Sequence, residues 1–138
     1  MTETTSPPIS GTKYSILLLD DDRFLLDMYS RKFAQEGHAV QSCFSVAEAL
    51  QLLRGGLAPD VIVFDLIMPQ QDGFDLLRIM RDEKLAPKAV KVALTNQMAS
   101  EERKKTEELG ADEFIIKASA IPSEVMTLVV AAIARHQK

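Results

Sequence analysis

One cysteine, Cys43, stands in the 138 residues, so no intrachain disulfide is possible. That usage suits a reducing cytoplasm, the expected compartment. Positive charge is also scarce. Sixteen Lys and Arg against 20 Asp and Glu leave a net charge of −4, with a pI near 5.2. This argues against a dedicated nucleic-acid surface. The one clustered basic run, Arg103-Lys104-Lys105, lies between Glu101-Glu102 and Glu107-Glu108, the pattern of a solvated helix face. Long hydrophobic runs are missing too. The most apolar stretch, Val125 to Ala134, falls short of the roughly 20 residues needed to span a bilayer core. The N-terminus has no basic start followed by an apolar stretch, so no signal peptide is expected. There is no G-x-x-x-x-G-K-[ST] loop and no G-x-G-x-x-G turn, which leaves nucleotide binding without support. No internal repeat is visible either.

What is present is the balance of one globular domain: 46% apolar and 26% charged residues. Residues 1–12, rich in Thr, Ser and Pro, are expected to be a flexible tail, and 13–136 the folded domain. The chain is organised around Val61-Ile62-Val63-Phe64-Asp65, four apolar residues leading to one carboxylate. Such a run reads as a strand buried on both faces in a parallel sheet. Pro69 stops it, and burying a lone carboxylate is costly, so Asp65 is expected where the strand ends and water or a cation can reach it.

Four other strands are expected: Tyr14 to Leu19, Ala39 to Cys43, Val90 to Leu94, and Glu113 to Ile116. Helices alternate with them. The stripe Leu25, Leu26, Tyr29, Phe33 ends at Gly37, and Ser45 with Glu48 has capping-box spacing ahead of Val46, Ala49, Leu50 and Leu53. Asp72 caps a helix with Gly73, Leu76, Leu77 and Met80 inside. A very polar helix follows from about Ser100, packing mainly through Thr106 and Leu109, and Pro122 opens the last, whose expected core stripe includes Val125, Leu128, Val129, Ala132 and Ile133. Met126 and Val130 would extend its apolar surface. Strict alternation implies right-handed crossovers and a doubly wound α/β fold, flavodoxin-like (βα)5, with strand order 2-1-3-4-5.

The strand ends then form a pattern. Strand one delivers Asp20 and Asp21, strand three Asp65, strand four Thr95, strand five Lys117. Singly, each has an ordinary reading as cap, turn residue or surface charge. Gathered at one sheet edge, three carboxylates repel unless a cation intervenes or one keeps its proton. Oxygen ligands without His or Cys favour Mg2+ or a similar divalent ion. Asp20, Asp21 and Asp65 balance one divalent ion plus Lys117, and a phosphoryl dianion on Asp65 would make the site negative by one unit. A phosphatase with a D-x-D pair would need an acid at position 67, which is Ile67, and no Ser/His/Asp or Cys/His set ends the strands. His38 and His136 are expected at the surface, and Cys43 in the core.

Asp20-Asp21, the D-x-x-M-P-x-x-D-G run from Asp65 to Gly73, Thr95 and Lys117 together resemble the receiver domain of two-component response regulators. The resemblance covers Tyr14 to about Arg135. It implies that Asp65 accepts a phosphoryl group from a histidine kinase or phosphotransfer protein, and that Asp20, Asp21, Asp65 and the backbone carbonyl of Ile67 bind Mg2+. It implies also that Thr95 and Lys117 contact the phosphoryl group, with Thr95 and Phe114 forming the switch. Partners would be the donor protein and a downstream protein or a second copy, with no direct nucleic-acid or membrane contact. Such a chain is a signalling module rather than an enzyme, and the alternative is a receiver-like interaction module independent of phosphorylation. Three positions depart from the usual pattern: Ala118-Ser119 where Pro usually follows the Lys, Asn96 where Ala is usual, and Phe rather than Tyr at 114. The fourth helix, fifth strand and fifth helix are the expected output face.

Overall fold

The computed structural model describes residues 13–68, 70–96, 100–117 and 121–136. The expectations for the tail 1–12, Pro69 and Ala118-Ser119 lie outside them. Five strands alternate with five helices: β1 Ser15–Leu19, α1 Arg23–Gln35, β2 Ala39–Cys43, α2 Val46–Arg54, β3 Val61–Asp65, α3 Gly73–Glu83, β4 Val90–Thr95, α4 Ser100–Glu108, β5 Glu113–Ile116 and α5 Pro122–His136. All neighbouring strands pair in parallel, in the order β2-β1-β3-β4-β5. The expected doubly wound architecture is the one observed.

Period-two alternation sorts the core onto two faces. Leu17, Leu19, Ile62 and Phe64 face α2 and α3; Ile16, Leu18, Val61 and Val63 face α1 and α5. Central β3 is therefore buried at every position. Helix starts follow local chemistry. Asp72 accepts from Asp75 N–H, and the Asp75 carboxylate accepts in return from Asp72 N–H, which closes a capping box on α3. At α2, Ser45 Oγ accepts from Glu48 N–H as expected, but Glu48 Oε1 reaches Phe44 N–H instead, one residue further back.

Three expectations need correction. His38 is buried, not at the surface: its Nδ1 accepts from Tyr14 N–H at 3.0 Å, and its ring stacks on Tyr14. On α5, Leu128 is 45% exposed whereas Val130 is buried. At 100° per residue both lie on flanks of the stripe centred near Val125 and Val129. Periodicity fixes that centre, and the neighbouring elements decide which flank is covered. Leu25 keeps its place on the α1 stripe: it is half-buried against that core and also lines the acid cleft.

Candidate functional site

Each residue of the Asp20-Asp21-Asp22 triplet does something different. Asp20 N–H donates to Cys43 C=O at 3.2 Å, so the backbone stays tied to β2 just past the end of β1. The residue is buried at 2% exposure, and Oδ1 accepts from Asp22 N–H at 2.9 Å. Asp22 caps α1 by accepting from the N–H groups of Phe24 and Leu25. Asp21, between them, is left exposed and lines the cleft.

Asp65 ends β3 and is 8% exposed. Oδ1 accepts from Ile67 N–H at 3.1 Å, and Oδ2 accepts from Lys117 Nζ at 3.1 Å. The same ammonium lies 2.8 Å from Asp20 Oδ2. That buried oxygen has no well-directed hydrogen bond, and the ammonium beside it is its counter-charge. Lys117 therefore bridges the two buried acids. Ligand oxygens of Asp20, Asp21 and Asp65 all lie within 4.8 Å of one another, close enough together to hold a hard cation. Thr95, at the end of β4, is buried beside them. All line a cleft of about 580 Å3 with Ile67 and, from α4, Glu102.

Burial and neighbouring charge oppose each other in the cleft. Burial pushes the Asp65 carboxyl above its ordinary value; Lys117 opposes this, and the Asp20 charge adds to it. Burial also works against the Lys117 charge, but the Asp20 and Asp65 carboxylates more than offset it and hold the ammonium above the ordinary lysine value. Beneath the site, burial raises the Tyr29 phenol, with Lys117 opposing and the nearby acids reinforcing. Cys43 is a core thiol, pushed up to about 11 by burial.

The D-G step has a steric reason. A Cβ on Gly73 would lie 2.9 Å from Asp65 O and from Leu66 Cα, where α3 begins against the end of β3. Gly73 N–H also donates to Leu66 C=O at 3.0 Å. Gly73→Ala is expected to cost about 1–3 kcal/mol through overpacking against backbone, read as a lower midpoint in urea. An unchanged midpoint would show that this approach is loose.

Asp20, Asp21, Asp65, Ile67, Thr95 and Lys117 thus all lie at the carboxyl edge of the sheet. Phe114 stands apart on β5, half-buried, with the Arg103 guanidinium 4.9 Å above its ring. Sequence reasoning missed Glu102 as a cleft residue, since an acid on a charged helix face carries no distinguishing signal.

Residues 16–129 match the family described as the response regulator receiver domain. The chain belongs to that family. Among the similar proteins is the response regulator SaeR of Staphylococcus aureus, 29% identical over 102 residues, covering 74% of this chain and 43% of SaeR. The receiver thus spans less than half the length of the curated relatives it matches. The receiver domain of Francisella response regulator 1452 shares 28% identity at a TM-score of 0.75, over 89% of this receiver and 97% of that chain. The chemotaxis protein CheY4 of Vibrio cholerae, at 22% identity and a TM-score of 0.79, shares the fold, over 88% and 99% of the two chains. Receivers are the response-regulator domains of two-component signalling, and this one has an acidic cluster able to hold a metal. No helix among its described residues is long and apolar enough to cross a membrane.

Proposed function

We propose that this receiver is a Mg2+-dependent phosphoacceptor switch, charged on Asp65 by a histidine kinase or histidine phosphotransfer protein. The observation that carries this reading is Asp65 itself: a carboxylate at the end of a fully buried strand, in contact with Lys117, inside a cluster of three acids. A carboxylate oxygen of Asp65 forms the new bond to phosphorus as the donor's phosphorus–nitrogen bond breaks, and the leaving imidazole takes up a proton. Asp20, Asp21, Asp65 and the Ile67 carbonyl would hold Mg2+, and the buried Asp20 Oδ2, ion-paired with Lys117 but without a directed hydrogen bond, fits that role. When bound, the ion offsets the charge between acceptor carboxylate and phosphoryl oxygens. The Lys117 ammonium donates to the phosphoryl group, and the Thr95 hydroxyl holds another of its oxygens.

The phosphorylated state is read through α4, β5 and α5 by a downstream protein or a second copy. Phe114 turning inward behind Thr95 would be the visible change. The module works in the cytoplasm, as a signalling part and not as a metabolic enzyme. With all three acids, Thr95 and Lys117 in place, a module independent of phosphorylation is the weaker reading.

Mg2+ titration tests the metal. Binding to the folded state is expected to add about 1–3 kcal/mol at Mg2+ ten- to a hundredfold above its Kd, read as a rise in melting temperature. Asp21→Asn removes one exposed ligand without disturbing the Lys117 bridge, and should blunt that rise. A full Mg2+ response in the variant would place the ion elsewhere.

A further inference from the structure

Helix α4 is almost entirely charged, and among its described side chains only Thr106 is buried. Thr106 Oγ1 donates to the helix's own Glu102 carbonyl. Of the five helices it is the one least engaged with its neighbours among the described residues. Two cations grip it instead. The Arg103 guanidinium lies 4.9 Å from the Phe114 ring centroid on β5, and the Lys105 ammonium 4.7 Å from the Phe74 ring on α3. Residues two apart on a helix point about 200° apart, so the grips sit on opposite flanks. Glu102, one position before Arg103, lines the acid cleft.

We propose that Arg103 over Phe114 is a latch holding α4 in its resting position, and that Glu102 is the charge through which a phosphoryl group at Asp65 opens it. The trigger half rests on the phosphoacceptor reading; the latch half does not. A phosphoryl dianion makes the cleft more negative by one unit, which repels Glu102 and drives the first turn of α4 outwards. Arg103 then slides off the ring, and Phe114 is freed to move. An exposed cation–π contact shifts a two-state population only about two- to fivefold, so one added charge is enough to tip it. The latch would give Phe114 a gate of its own, and it lies on the expected output face.

Amide exchange across α4 tests both halves. In the unphosphorylated protein, Arg103→Gln and Phe114→Leu should each speed α4 exchange roughly two- to fivefold. Gln keeps the helix propensity close to that of Arg. The double variant should exchange no faster than the quicker single variant, because both remove one contact. Arg103→Lys, which keeps the cation, should fall between Gln and wild type. Exchange unchanged by Arg103→Gln, or effects that multiply in the double variant, would overturn the latch. In a second arm, Mg2+ and beryllium fluoride serve as the phosphoryl mimic. Against a baseline already loaded with Mg2+, wild-type α4 should speed up when beryllium fluoride is added; Glu102→Gln should bind the mimic two- to fivefold tighter yet lose at least half of the α4 response. A Glu102→Gln response equal to wild type would overturn the trigger. Failure of the wild type to bind the mimic would overturn the phosphoacceptor reading and the trigger with it, while the first arm would still decide the latch.

Discussion

Asp65→Asn is expected to lose phosphoryl uptake completely while becoming more stable than the wild type at neutral pH. The two effects share a cause. The acceptor is useful because it is a carboxylate in a buried, acid-rich place, and that place disfavours its charge. Its folded pKa is raised, so the stability it contributes is fully present below the ordinary aspartate value and is lost as pH rises through the folded value. Asn does not titrate. The variant's advantage should therefore be greatest at neutral pH and shrink towards zero as the pH falls below that raised value. It also keeps an oxygen able to accept from Ile67 N–H, which preserves the turn. Urea unfolding of both proteins between pH 7 and pH 3.5 measures this. A variant less stable than the wild type at pH 7 would mean that the Lys117 contact outweighs the burial of Asp65.

Lys117→Met should act in the opposite direction and strongly. The ammonium, with 8% of its side chain exposed, is the counter-charge of two buried acids, at 2.8 Å from Asp20 and 3.1 Å from Asp65. Removing it leaves both without a cation, and breaking a buried pair in this way costs roughly 3–5 kcal/mol. In the wild type the raised Lys117 pKa means that its stabilisation is complete below the ordinary lysine value and lost only as pH climbs through the folded one. In the variant the loss should be full at pH 7 and recover on acidification, as the carboxylates take up protons. Mg2+ should restore part of it by supplying positive charge, and Lys117→Met with Asp65→Asn should be more stable than Lys117→Met alone. A loss of less than about 1 kcal/mol at pH 7, or one independent of pH, would show that the buried acids do not depend on Lys117.

Much of this was legible in the chain because strand ends are easy to read. An apolar run that stops at a polar residue locates the carboxyl edge of the sheet, and the alternation of strands and helices sets their order. Asp20, Asp21, Asp65, Thr95 and Lys117 could therefore be brought to one edge without coordinates. The division of labour among the acids could not. Three consecutive Asp look alike in sequence, and only the hydrogen bond from Asp20 N–H to Cys43 C=O shows that the first stays with the sheet while the third turns to cap α1. His38 was missed because an imidazole beside a glycine gives no sign that Tyr14 will lie against it. Leu128 and Val130 were exchanged because both sit on the margins of a helical stripe, where neighbours and not periodicity decide burial. Glu102 and Arg103 escaped for the same reason: on a charged helix, the residues aimed at a cleft or a ring look like the rest.

The most direct test of the central claim is the intact mass of wild type and Asp65→Asn after incubation with Mg2+ and a small acyl-phosphate donor. The expected result is one added phosphoryl group on the wild type, removed by mild base, mapped to the peptide holding Asp65, and absent from the variant. Equal labelling of the two proteins, or none on the wild type with Mg2+ present, would contradict the assignment of Asp65 as the phosphoacceptor.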